Sequence, residues 1–176
     1  MLLRRDPALG RSLLADINQQ LVALSRQVRG LAHRLFPPEL ELLGLAGALR
    51  ESAQTYSTLR IQIDAPERLP PIPAEIEAAA YYIALEALTN VDKHAGAQVC
   101  HIQLNLSAKS SALQPALLAL NIMDDGVGLP LDTTGGLGLL SMQARAAEVG
   151  GTCRVEPHPG GGTAVIVRIP CPIKME

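Results

Sequence analysis

Four short stretches of this sequence concentrate residues able to hold a charged ligand. In the first, Glu86, Asn90, Lys93 and His94 recur at i, i+4, i+7 and i+8, a spacing that puts all four on one side of an α-helix. A carboxylate and an amide oxygen suit a hard cation such as magnesium, and the lysine and histidine beside them can neutralise phosphate oxygens. The same pattern also describes an ordinary solvated helix face with one i to i+4 hydrogen bond. In the second, Asp124-Asp125-Gly126-Val127-Gly128 follows an apolar run and puts carboxylates on a turn whose glycines let a ligand come close to backbone. A carboxylate there can accept a hydrogen bond from an exocyclic amine, or simply form the turn. The third, Thr133-Thr134-Gly135-Gly136-Leu137-Gly138, opens into a predicted helix carrying Met142, Arg145 and Glu148. Free backbone amides and a positive helix end converge there and favour an anion, although a flexible connection would read the same way. It is neither a Walker A loop nor a G-x-G-x-x-G fingerprint. The fourth, Gly160-Gly161-Gly162-Thr163, reads most simply as a hairpin turn, with a threonine hydroxyl able to reach a base or a water.

The elements that must position these residues follow from periodicity. Apolar residues Ile17, Leu21, Leu24, Val28, Leu31 and Leu35 step by alternating fours and threes, the a/d seam of a coiled coil or bundle. At 1.5 Å per residue this helix would be on the order of 40 Å long and could not bury its stripe alone. Arg11, Asp16, Gln19, Gln20, Arg26 and Arg29 occupy its other face. Pro37-Pro38 breaks it, which divides the chain into a helical segment, 1–36, and a globular domain, 37–176. A second helix is expected from about Glu39. Alternation at Leu59, Ile61 and Ile63 predicts a strand, and Ile76, Ala80, Ile83, Ala87 and Val91 predict an amphipathic helix from Ala74 to about His94. Two strands are expected through Ile102, Leu104 and Leu106 and through Ala116 to Met123, joined by a turn over 107–114. The Gly-rich loop leads to a helix stopped by Gly150-Gly151, and two final strands flank the turn Pro157 to Gly162. This order predicts an α/β fold in which helices cover one face of a mixed, largely antiparallel sheet.

Composition narrows the chemistry. Fifteen Lys plus Arg against 17 Asp plus Glu leave a net charge of -2 with no basic stripe, so nucleic acid is not an expected partner. Aromatics make up only 2% of the chain, so a ligand pocket must be walled by aliphatic side chains and backbone. Cys100, Cys153 and Cys171 are odd in number and widely spaced, and read as small buried thiols in a reducing cytoplasm. No run approaches the ~18 to 20 apolar residues of a membrane span, and the start MLLRRDPALG does not look like a signal peptide. A soluble, cytoplasmic chain without membrane contact is the expectation.

Taken in order, E-A-L-T-N-V-D-K-H-A from Glu86, D-D-G-V-G from Asp124, G-G-L-G-L-L-S-M from Gly135 and G-G-T from Gly161 resemble the N box and glycine boxes of sensor histidine kinases. The segment L-A-H-R-L-F-P-P-E-L-E-L-L-G-L-A-G-A-L-R from Leu31 is similar to the end of the dimerisation region in the nitrate-sensor subfamily. This resemblance implies the two-layer α/β sandwich known as the Bergerat fold, with ATP and magnesium as ligands. It implies that Asp124 accepts the adenine amino group over Gly126 and Gly128, and that Thr163 lies near the base. Asn90 would ligate magnesium with Glu86 assisting or activating, Lys93 and His94 would lie near phosphates, and Gly136, Leu137, Gly138 and Leu139 would belong to the ATP lid. The partners implied are a phosphoacceptor helix within a homodimeric parent, for which a membrane anchor is compatible with the resemblance, and a response regulator.

The chain departs from the family at the phosphoacceptor. No L-H-D or L-H-E segment occurs in it, residues 8–36 resemble the second helix of the dimerisation hairpin only, and His33 sits beside Arg34 instead of an acidic residue. A chain unable to phosphorylate itself is therefore expected. Asp92, and Asp125 in place of a frequent Asn, are expected to add negative charge near a polyphosphate. Two rival readings stay open: another ATPase of the same fold, such as an anti-sigma serine kinase, and a non-catalytic dimerisation module with a vestigial pocket.

Overall fold

Alternation on neighbouring strands explains how the core is assembled. The computed structural model describes residues 37–107, 116–128 and 136–172. Strands β1 (Arg60–Asp64), β2 (Val99–Ser107), β3 (Ala116–Asp124), β4 (Thr152–Pro157) and β5 (Thr163–Cys171) form one sheet in the order β1-β2-β3-β5-β4. Only β1 and β2 pair in parallel, and the crossover that a parallel pair requires carries helix α2 (Ala74–Asn90). The other pairs are antiparallel, and their register lines up inward-facing residues in rows. Ile102 lies opposite Ile122 and Ile122 opposite Val165, while Leu104, Leu120 and Val167 make the next row. All six are buried, each contributing about 1.5 to 3 kcal/mol relative to exposure. On the opposite face His101, Gln103 and Asn105 are exposed, and the Arg168 guanidinium donates to Asn121 Oδ1 at 2.7 Å.

The buried face is covered by α2 and by α3 (Leu137–Glu148), and α1 (Pro38–Ala53) packs on α2. Tyr81 and Ser52 link α2 to α1 through their hydroxyls at 2.9 Å. The Arg145 guanidinium of α3 lies 4.8 Å above the ring of Tyr82 on α2, a cation–π contact between the two helices. Ile76, Ala80, Ile83, Ala87 and Val91, the predicted stripe, are all buried.

Two helix boundaries differ from expectation, and a third falls at the expected Gly150-Gly151 stop. Helix α1 starts one residue early, at Pro38, a position where a missing N–H costs nothing, and it kinks at Gly44 with φ 64°. Helix α2 stops at Asn90 instead of His94, and Val91–Ala95 continues as a π-helical turn. Helix α3 ends at Glu148, where the amides of Gly150 and Gly151 donate to the carbonyls of Ala147 and Ala146 at 3.0 and 2.8 Å. The heptad helix expected over 1–36, most of the turn expected over 107–114 and the loop residues Thr133 to Gly135 lie outside the described residues.

Candidate functional site

The alternation along β3 that sends Leu118, Leu120 and Ile122 into the core also sends Asp124 inward. It is the one buried charged side chain among the described residues, 5% exposed. Its Oδ1 accepts the Gly126 N–H at 2.8 Å, which fixes the carboxylate at the strand end. Asp124 forms part of the wall of a cavity of about 470 Å³, within the usual range for small-molecule sites. Helix α2 contributes Ala87 and Asn90, and the π-helical turn contributes Val91, His94 and Ala95. The turn after β3 adds Val127 and Gly128; α3 and its cap add Gly136, Leu139 and Met142; β4 and β5 add Val155, Thr163 and Val165. The hydrophobic part of the wall is aliphatic, as the shortage of Phe, Tyr and Trp requires.

Three backbone segments meet beside Asp124 so closely that side chains are excluded. A Cβ on Gly126 would collide with the carbonyl of Ala95 at the end of the π-helical turn, and one on Gly128 would lie 3.2 Å from the Gly162 carbonyl oxygen. Gly162, with φ 84°, is itself pressed against the backbone carbonyl of Asp124. The Val127 amide donates to the Ala95 carbonyl at 2.9 Å. Gly126 is therefore a packing residue that does not line the cavity, whereas Gly128 does both.

The N-terminus of α3 lies across the polar end of α2. Gly136 caps it without a side-chain hydrogen bond, and the Leu139 amide donates to the Gly136 carbonyl at 3.0 Å. A side chain at Gly138 would run into the Glu86 carboxylate and come within 3.5 Å of Asn90 Nδ2. Glu86 is thus half-buried beneath the start of α3, while Asn90 faces the cavity. Lys93 is exposed and does not line the cavity, whereas His94, exposed as well, contributes to its wall; the wider π-helical turn changes the phase of the residues after Asn90. Leu137, 76% exposed, also lies off the wall.

The two additional acidic residues sit elsewhere than expected. Asp125 Oδ1 accepts the Val99 and Gln98 amides at 2.9 and 2.8 Å, clamping the end of β3 to the start of β2. The Val99 amide, with that of Gln98, holds this carboxyl below the usual range, and neighbouring His101 lowers it further. Asp92 is exposed with Thr58 Oγ1 at 3.5 Å, and neither aspartate lines the cavity. Cys100, Cys153 and Cys171 are buried free thiols; burial, then Asp124 and Asp125, pushes Cys100 up to about 12. His101 is an exposed strand residue, while His158 organises the tip of the β4–β5 hairpin. Sequence patterning missed the apolar walls Met142, Val155 and Val165, whose periodicity marks them as inward-facing without saying that they meet at one cavity.

Residues 75–173 match the family model described as histidine kinase-, DNA gyrase B-, and HSP90-like ATPase. The nitrate/nitrite sensor protein NarX of Escherichia coli is 30% identical over 168 residues, 92% of this chain and 26% of NarX. An uncharacterized sensor-like histidine kinase of Chloroflexus aurantiacus is 29% identical over 181 residues, 96% of this chain and 29% of that protein. The chain thus spans less than a third of the length of these relatives. Among solved structures, the histidine kinase domain of a blue-light activated kinase from Erythrobacter litoralis shares the fold, with a TM-score of 0.59 at 24% identity over 89% of this chain and 85% of that one. With the family model covering more than half of its residues, including Asn90, Asp124 and Thr163, this chain belongs to the histidine kinase-, DNA gyrase B- and HSP90-like ATPases.

Proposed function

We infer that the cavity binds Mg-ATP and that the chain is the catalytic part of a two-component sensor histidine kinase. In that reading it donates the γ-phosphoryl group to a histidine on a dimerisation helix of a homodimeric parent, for onward transfer to a response regulator. The observation that carries the reading is Asp124, a carboxylate in a core position on the wall of a largely apolar cavity. Burying a carboxylate is costly unless donors meet it. The Gly126 amide is one, and an adenine amino group is a suitable second. Thr163 lies near the base, with Gly128 allowing backbone to approach it, while Gly126 packs on Ala95 and holds the turn in place.

Among the described residues no three His, Cys, Asp or Glu side chains gather as a metal cluster. Magnesium fits such a site, because it keeps waters and takes the rest of its ligands from phosphate and one or two side-chain oxygens. Asn90 would hold it, assisted by Glu86, and when bound it would neutralise charge developing on the phosphates. His94 and Lys93 face or flank the polyphosphate in this reading, while the start of α3, at Gly136, Leu137, Gly138 and Leu139, covers it as a lid. Phosphoryl transfer relies mainly on positioning and charge neutralisation, which these residues supply without a nucleophile of their own. Residues 1–36 act as the second dimerisation helix, and the domain works in the cytoplasm; among the described residues no helix is long and apolar enough to cross a membrane.

Calorimetric titration of ATP with and without magnesium tests the metal assignment. Magnesium should tighten ATP binding by the wild type, and Asn90→Ala should lose most of that gain while its ligand-free thermal midpoint stays near that of the wild type. A large loss of stability without nucleotide would make Asn90 a structural residue instead.

A further inference from the structure

The hairpin that delivers Thr163 to the cavity has three consecutive glycines at its tip, a sequence with little conformational preference of its own. Yet Gly162 is buried and fixed against the Asp124 carbonyl. The residue that ties this tip together is His158. Its backbone amide donates to the Gly162 carbonyl at 3.1 Å, and its carbonyl accepts the Gly161 amide at 3.0 Å. Its ring reaches the remaining glycines: Nδ1 lies 3.2 Å from the Gly161 carbonyl oxygen and 3.3 Å from the Gly160 amide. With Nδ1 bare the ring accepts from Gly160, and with Nδ1 protonated it donates to Gly161, so either form bridges the tip. Pro157 and Pro159 flank it and restrict the backbone on both sides.

We propose that His158 is a positioning residue of the nucleotide site, locking the β4–β5 hairpin so that Gly162 stays seated on Asp124 and Thr163 stays on the cavity wall. The inference rests on the reading of this cavity as an adenine site. The imidazole does not line the cavity and takes no part in the chemistry. It acts through Gly162, which touches both Asp124 and, through its carbonyl, the space beside Gly128. Loosening the tip frees Thr163 and the Asp124 strand end together, and so weakens the grip on the base more than it weakens the fold.

The test compares ADP affinity and ligand-free thermal midpoint for the full chain carrying His158→Ala, His158→Leu or His158→Asn. Removing one neutral side-chain hydrogen bond should lower ADP affinity about threefold to tenfold in the alanine variant, with little change in thermal midpoint. The leucine variant, which keeps bulk but lacks a polar atom, should lose as much, and it decides the matter if the alanine variant does not fold. Asparagine, whose amide can meet Gly160 or Gly161, should restore most of the affinity. A fall in thermal midpoint with unchanged ADP affinity, or a loss that asparagine leaves unrescued, would overturn the proposal. Failure of the wild type to bind ADP would instead overturn the adenine reading of the cavity.

Discussion

At the residue scale, the decisive choice is a carboxylate at Asp124 where the pattern of β3 otherwise places Leu118, Leu120 and Ile122. Asn90 and His94 share its cavity, and Glu86 lies nearby beneath Gly138. Asp124→Asn keeps the size and one acceptor but removes the charge. It should weaken ADP binding by about 1 to 3 kcal/mol, the value of a hydrogen bond to an ionised partner, or roughly fivefold to over a hundredfold by titration calorimetry. Unchanged affinity would place the base elsewhere. The motif containing Asp124 was legible from the sequence because it ends an apolar run in a glycine turn. What was not legible was the division of labour within it: Asp124 faces the cavity, Asp125 clamps a neighbouring strand, and Gly126 makes room for Ala95. Those roles depend on where a distant segment, Gln98 and Val99, comes to lie.

At the element scale, the Asp125 clamp at the end of β3 makes a pH test. Asp125 has a lowered carboxyl pKa in the folded chain, so its charged form contributes stability that is full above the unfolded value of about 3.9 and is lost as pH falls through the folded one. The thermal midpoint of the wild type should therefore exceed that of Asp125→Asn near neutral pH, and the gap should close in acid below about pH 4. A gap independent of pH would mean that the charge of Asp125 is immaterial. The helices and strands were largely readable from spacing, because a 3.6 or 2.0 period records which side of each element is buried. The π-helical turn at Val91–Ala95 was not readable, since Val91-Asp92-Lys93-His94-Ala95 continues a plausible α-helical pattern. The consequence is specific: Lys93 leaves the face it was expected to share with Asn90, and His94 remains on it.

At the scale of the whole molecule, the sheet order β1-β2-β3-β5-β4 explains why segments far apart in sequence share one site. Central β3 carries Asp124 between β2 and β5; Thr163 begins β5, and α2 and α3 cross the same face. The sequence order of elements suggested helices on a mixed sheet, but strand order and the meeting of Met142, Val155 and Val165 are properties of the assembled fold. Buried Leu88 illustrates the dependence of the site on that assembly, since it sits on α2 two residues before Asn90. Leu88→Ala should cost about 2 to 5 kcal/mol of stability, read from denaturant unfolding, through the cavity it leaves. The central claim is that the cavity recognises adenine through Asp124, and differential nucleotide stabilisation tests it most directly. ADP should raise the thermal midpoint of the wild type, since a ligand at a hundredfold excess over Kd adds about 2.7 kcal/mol to the native state. GDP, which presents a carbonyl where adenine presents an amine, should do much less; equal shifts with ADP and GDP, or none with either, would contradict the account.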